Sequence, residues 1–172
     1  MIVQFFVHTL CYDIITSERG VFMKVSILSR DDAEKLVEKD FPRKTAVISF
    51  YDPHNKRSIF DSSPVDYKGK CERLFLVKIK DLDIDALEDF GLTVDTYLTE
   101  AEELAEFIKK AETDGLDFIC QCEYGQSRSA ACAAAIKEYF EKDGISIFAD
   151  YRYYPNQLVF NKILNALKNV EE

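Results

Sequence analysis

The stretch from Leu116 to Gly144 constrains this chain more than any other. An apolar run, LDFICQ, passes directly into CEYGQSRS and then into an alanine-rich segment, AACAAAIKEYFEKDG. A short apolar run bounded by turn residues predicts a buried strand, and alanine at this density predicts a helix, with Gly144 placed to close it. A strand that turns tightly into a helix lays its loop over the helix N-terminus. Successive backbone N–H groups then point into one concavity, and the helix dipole adds partial positive charge there. An oxyanion is the natural occupant.

The side chains in the loop fit that occupant. Arg128 follows Cys122 after five intervening residues, Gly125 lies between them, and Ser129 comes next. A thiol ringed by N–H donors at a helix start ionises below its free pKa of about 8.5. The planar fork of Arg128 suits two oxygens of one phosphoryl group. Gly125 allows the backbone to bend toward an anion with no side chain in the way. Ser129 is placed to offer its hydroxyl to the sulfur, which favours thiolate as a leaving group. The bland alternative is a buried cysteine beside a helix-capping turn.

With these residues in hand, the segment resembles the active-site loop of the cysteine-dependent protein tyrosine phosphatases, in particular the compact dual-specificity-like members. The likeness is close over Phe118 to Phe140 and loose over Leu74 to Gly144. It implies Cys122 as nucleophile, Arg128 as the phosphate-binding arginine, and Ser129 as the hydroxyl that assists thiolate departure. Glu123, Tyr124, Gly125, Gln126 and Ser127 would supply the backbone cradle. One position departs from the pattern: the family usually has histidine before the cysteine, and this chain has Gln121. A glutamine amide replaces some of the hydrogen bonding but carries no positive charge.

The resemblance also implies a general acid, because the leaving oxygen must be protonated as the ester bond breaks. The family supplies an aspartate from the loop after an earlier strand. Here Cys71 to Ile79 reads as that strand, and the loop beyond it offers Asp81, Asp83 and Asp85. Asp81 matches the family position best. Each could equally be a solvated loop carboxylate, as most of the 31 acidic residues must be.

The remaining pattern predicts one α/β domain with a mainly parallel central sheet flanked by helices, a phosphotyrosine protein phosphatase-like fold. At 172 residues, roughly 70% of the unfolded surface can be buried. KVSIL predicts a strand, and Ser29 with Asp32 a capping box opening a helix that buries Ala33, Leu36, Val37 and Phe41. Thr45 to Tyr51 reads as a second strand. Thr99 with Glu102 suggests another capping box, before a helix with Ala101, Leu104, Ala105 and Ile108 on its inner face. Pro155 marks a place where a last helix could begin, with Val159, Ile163, Ala166 and Leu167 facing inward. Alternating strands and helices place ligand chemistry at the carboxyl ends of the strands. Lys56 and Arg57 either meet substrate charge or are simply solvated. The aromatic rings around Arg152 either wall the pocket or pack the last helix.

A net charge of -9 argues against nucleic acid and anionic membrane surfaces as partners. No run approaches the roughly 18 apolar residues of a membrane span. Five cysteines with no zinc-type pairing and no export signal suggest a reducing cytoplasm and no metal or other cofactor. Cys120 is either an inert strand residue or a disulfide partner for Cys122. Residues 1–22 interrupt the alternation and precede a second plausible start at Met23, so they read as an extension to a catalytic domain over 23–172. Glu18, Arg19 and Gly20 could translate a purine-rich ribosome-binding site.

The functional expectation is a phosphatase acting on phosphomonoesters through a phosphocysteine intermediate. A phosphorylated protein bearing phosphotyrosine, phosphoserine or phosphothreonine, or a small phosphomonoester, would be its partner. Glu123 and the absence of lysine in the loop argue against polyphosphorylated head groups. The alternatives are a phosphate-binding module without turnover and another thiolate enzyme, such as a sulfurtransferase or arsenate reductase.

Overall fold

The computed structural model describes residues 23–52 and 63–170. The expected extension over 1–22 and the basic pair Lys56 and Arg57 lie outside the described residues. Four strands, β1 (Val25–Leu28), β2 (Thr45–Tyr51), β3 (Arg73–Lys78) and β4 (Asp117–Gln121), form one sheet in the order β1-β4-β2-β3, and every pairing is parallel. Among the described residues five α-helices accompany them: α1 (Arg30–Glu38), α2 (Ala101–Thr113), α3 (Arg128–Glu141), α4 (Ile145–Phe148) and α5 (Gln157–Asn169). The expected α/β architecture with a parallel sheet is what the chain adopts.

Period-two alternation sorts the strands into two layers. Ala46, Ile48 and Phe50 of β2 and Phe118 and Cys120 of β4 pack into the large core shared with α2, α3 and α5. Val47 and Ile119 point the other way, to a smaller cluster with Ala33, Val65 and Tyr67, against which Leu36, Val37 and Phe41 also pack. Covered on both faces, β2 is a nearly continuous apolar run rather than an alternating one. Helix α3 is enclosed almost all round, with nine consecutive buried residues from Arg128 to Ile136. Its alanines allow the sheet and α5 to close on it from opposite sides.

The ends of several elements differ from expectation, each for a local reason. Strand β3 is two residues shorter at its start and one at its end than the Cys71 to Ile79 run. Thr99 does not cap α2; its hydroxyl donates to the Glu100 carboxylate, and Glu100 stands at the cap position without a side-chain bond to the helix backbone. Burial of Tyr97 and Leu98, the latter at φ 54, sets how the chain enters that helix. Lys142, in the left-handed conformation at φ 58, ends α3 rather than Gly144. Gly144 is needed for space instead, because a Cβ there would lie 2.7 Å from the Ala134 carbonyl oxygen. It then opens α4, which the sequence reading missed. Helix α5 begins at Gln157, two residues beyond Pro155, with Asn156 capping it by accepting a hydrogen bond from the Val159 N–H at 3.0 Å. Ser29 does cap α1, accepting from the Asp32 N–H at 3.1 Å and donating to the Asp32 carboxylate at 2.8 Å.

Candidate active site

Because β4 lies between β1 and β2, the loop that leaves it rests on the carboxyl ends of both neighbours. The register pairs Gln121 with Leu28 on one side and Ser49 on the other. The Cys122 N–H continues the ladder by donating to the Leu28 carbonyl at 3.3 Å. The loop then reverses over the start of α3. Its carbonyls are bonded to surrounding segments: that of Glu123 accepts from the Arg30 N–H at 3.0 Å, and that of Gln126 from the Tyr154 N–H at 3.0 Å. Gly125 makes the turn at φ 68 while pressed against the backbone of Leu28 and Ser29.

Cys122 is 2% exposed, and its Sγ lies 3.1 Å from Ser129 Oγ at the first turn of α3. Arg128 is 3% exposed. Its Nη1 donates to the Ile79 carbonyl at 2.6 Å and to Asp52 Oδ1 at 3.3 Å, and its Nη2 donates to Asp52 Oδ2 at 3.1 Å. Arg128 Nε, by contrast, is buried with no hydrogen-bond partner among the described residues. A buried guanidinium N–H without an acceptor is costly, so this atom identifies where an anion would be welcome.

Asp81 overhangs that edge, its Oδ2 lying 3.9 Å from Arg128 Nε. Its Oδ1 accepts from the Ser127 hydroxyl at 2.8 Å and from the Asn156 side-chain amide at 2.9 Å. The structure therefore brings Asp81 to the loop, whereas Asp83 and Asp85 stay exposed on the next turn. Tyr97 supports the same segment by donating its hydroxyl to the Lys80 carbonyl at 2.8 Å. Burial pushes the Tyr97 hydroxyl up to about 12, so it remains a donor.

The second member of the loop is tied outward. Arg30 Nε donates to Glu123 at 2.9 Å. Burial works against the Arg30 charge, but Glu123 and Glu34 outweigh it and hold the guanidinium above its ordinary value. Tyr124 projects its ring into solvent at 78% exposure. At the position where the family usually has histidine, Gln121 is buried, and its Oε1 accepts from the Ser49 hydroxyl at 2.6 Å and from the Tyr67 hydroxyl at 3.4 Å.

Cys120 is buried in the large core. It meets Cys132 of α3, whose thiol is pushed well above its ordinary value first by burial and then by Cys120. Cys71, Cys120, Cys122 and Cys132 are all free thiols. The rings around Arg152 divide: Tyr153 packs against the core and under the Arg152 guanidinium, while Tyr151 and Tyr154 are exposed. Among the described residues no group of three or more His, Cys, Asp or Glu side chains is placed to hold a metal ion, and no helix is long and apolar enough to cross a membrane.

Sequence reading missed Asp52 and Asn156. Asp52 directly follows β2 and Asn156 caps α5 far along the chain, so neither has a local signal linking it to the loop. The nearest hint was the place of Asp52 at a strand's carboxyl end, where ligand chemistry in a parallel sheet collects.

No family model matches this chain, and no curated protein matches it. Solved structures do. The chain is similar to PTPMT1, crystallised in complex with PI(5)P, at 13% identity and a TM-score of 0.50, covering 86% of this chain and 92% of that one. It is similar to human DUSP28 at 14% identity and a TM-score of 0.50, covering 86% and 93%. It is also similar to human tyrosine phosphatase-like serine/threonine/tyrosine-interacting protein at 12% identity and a TM-score of 0.50, covering 84% and 87%. These likenesses establish a fold shared with dual-specificity phosphatase-like proteins.

Proposed function

We propose that this chain is a cysteine-dependent phosphomonoesterase that works through a phosphocysteine intermediate. The observation that carries the reading is the unused edge of the Arg128 fork, buried beside a cysteine whose sulfur contacts a hydroxyl on the same helix. A phosphoryl group in the loop would meet Arg128 Nε and Nη2 on one side and the loop amides around it, with its phosphorus in line with Cys122 Sγ. Attack by the thiolate forms the S–P bond as the P–O bond to the leaving group breaks. Asp81 donates a proton to the departing oxygen. Water then attacks phosphorus, Asp81 takes its proton, and the Cys122 thiolate leaves with the Ser129 hydroxyl hydrogen bonded to it.

The fold it shares with dual-specificity phosphatase-like proteins supports the same class of chemistry. Phosphotyrosine, phosphoserine or phosphothreonine on a protein, or a small phosphomonoester, fits the loop better than a polyphosphorylated head group. The loop's own charged side chain besides Arg128 is the acidic Glu123, already paired to Arg30. A binding module without turnover is favoured by one observation, the neutral Gln121 engaged with Ser49 and Tyr67 where the family has histidine.

Hydrolysis of p-nitrophenyl phosphate, measured with inorganic phosphate and vanadate as competitors, separates the two. The enzyme reading expects turnover that Cys122→Ser abolishes while phosphate still binds, and that Arg128→Lys damages along with binding. Phosphate or vanadate binding without turnover in the unaltered chain would establish the module instead. Retained hydrolysis in the serine variant would overturn the covalent mechanism.

A further inference from the structure

A cavity of about 290 Å³ opens where the chain past the end of β3 meets residues 90–100, and no residue of the loop between β4 and α3 lines it. Strand β3 stands at the end of the sheet order, so this space lies at the sheet's edge. Ile79, Phe90, Tyr97 and Leu98 give the cavity an apolar lining, and Lys78 and Lys80 bring positive charge to it. Ile79, Tyr97 and Leu98 are core residues, whereas the Phe90 ring is 49% exposed. The same strand end faces the candidate active site through its backbone: the Ile79 carbonyl accepts from Arg128 and the Lys80 carbonyl from the Tyr97 hydroxyl.

The polar groups around the cavity differ in how far they are already engaged. Thr96 exchanges hydrogen bonds with Thr93, and Thr99 donates to the Glu100 carboxylate. Among the described residues neither Lys78 nor Lys80 belongs to an ion pair. The Lys80 ammonium instead rests on the Phe90 ring, 4.1 Å from its centroid. Asp81, the next residue, turns its carboxylate to Ser127 and Asn156. Glu100 is the one carboxylate among the lining residues, so the two lysines leave the cavity with a positive balance. In a chain of 31 acidic and 22 basic residues, that runs against the general trend.

We propose that this cavity is a second binding site, which takes a small aromatic carboxylate with its charge at Lys78 and Lys80 and its ring against Phe90 and Leu98. Charge complementarity selects the anion, since a cation would meet two ammonium groups. The half-exposed Phe90 ring selects an aromatic body, which covers it by offset stacking or edge contact and removes apolar surface from water. Size sets the limit. Ligand sites run from about 300 to 1,000 Å³, so a cavity at the bottom of that range suits one or two rings and leaves no room for a lipid tail or a peptide segment. The site lies beyond the phosphomonoesterase reading and does not depend on turnover.

The test is calorimetric titration of the full chain with naphthoate and, as its uncharged counterpart, naphthalenemethanol. Naphthoate is expected to bind one to one with a Kd below about 1 mM, and the alcohol about tenfold or more weaker. Lys78→Gln and Lys80→Gln should each weaken naphthoate by about threefold or more while leaving the alcohol unchanged, and Phe90→Ala should weaken both. Lys109→Gln removes an equal charge beside Tyr139 and should alter neither. Lys78 is exposed, so its variant decides the matter should the Lys80 or Phe90 variant fail to fold. Saturating inorganic phosphate should move naphthoate affinity by less than about twofold. Displacement of naphthoate by phosphate would seat it in the Cys122 loop and overturn the proposal. Equal affinity for acid and alcohol, indifference to both lysines, or no saturable binding would overturn it as well. A chain that binds naphthoate as expected but hydrolyses no phosphomonoester would sink the phosphomonoesterase reading and leave this site standing.

Discussion

Gly125 and Ser29 approach so closely that a Cβ on the glycine would stand 2.6 Å from the serine backbone nitrogen. The loop between β4 and α3 is therefore seated directly on the junction between β1 and α1. The chain there cannot yield, because the Ser29 hydroxyl is capping α1 and the Arg30 N–H is holding the Glu123 carbonyl. Gly125→Ala is expected to destabilise the protein by about 2 kcal/mol or more, from the positive φ and the backbone clash together. Chemical denaturation checks the loss. Hydrolysis should fall further than stability does, since relief of the clash moves the loop itself.

Ser129→Ala removes the hydroxyl that meets Cys122 Sγ at 3.1 Å. A hydrogen bond to a charged group contributes about 1.5–3 kcal/mol, which is on the order of 10- to 100-fold in rate. The loss should fall on breakdown of the phosphocysteine. Rapid-mixing experiments with p-nitrophenyl phosphate are expected to show a clear burst followed by a slowed steady state. A uniform slowing of the burst and the steady state together would place the hydroxyl in the first step instead.

Asp81→Asn preserves the shape of the side chain that accepts from Ser127 and Asn156 but cannot deliver a proton. Turnover of phenyl phosphate, whose leaving group needs protonation, should drop by about 10²–10⁴-fold. Substrates with strongly acidic leaving groups should be affected far less. Asp83→Asn and Asp85→Asn, at exposed positions, are expected to leave both rates near those of the unaltered chain.

The stability of the fold should decline in alkali. Burial raises the Tyr97 hydroxyl from 10.0 to about 12, and burial raises Tyr67 as well. Between the unfolded value and the folded one, the unfolded chain has released its proton and the native chain has not. The stabilisation is complete below pH 10 and is lost as pH rises toward 12, at about 1.4 kcal/mol per pH unit for each tyrosine. Tyr97→Phe should flatten that decline in urea unfolding measured across the range, at the cost of the bond to the Lys80 carbonyl.

Much of this organisation is local and was therefore legible. The strand, loop and helix around Cys122 follow from neighbouring residues alone, as do the buried faces of α2 and α5. Element ends were less legible, because Lys142 closes α3 in a conformation that sequence assigns to glycine, and Leu98 bends into α2 under the pull of its own burial. The supports of the site were least legible of all. Asp52 and Arg128 are 76 residues apart, and Asp81 and Asn156 are 75 apart. Such pairings exist only after strands separated in the chain have come into register, and no periodicity records them.

The strand order has a biosynthetic consequence. β4 is synthesised last of the four yet inserts between the first two, and the loop it carries leans on Leu28, Asp52, Ile79 and Asn156 at once. A nascent chain still short of Asn156 has no assembled pocket to offer. Any chemistry at this cysteine would switch on only once Asn156 has joined the other anchor points.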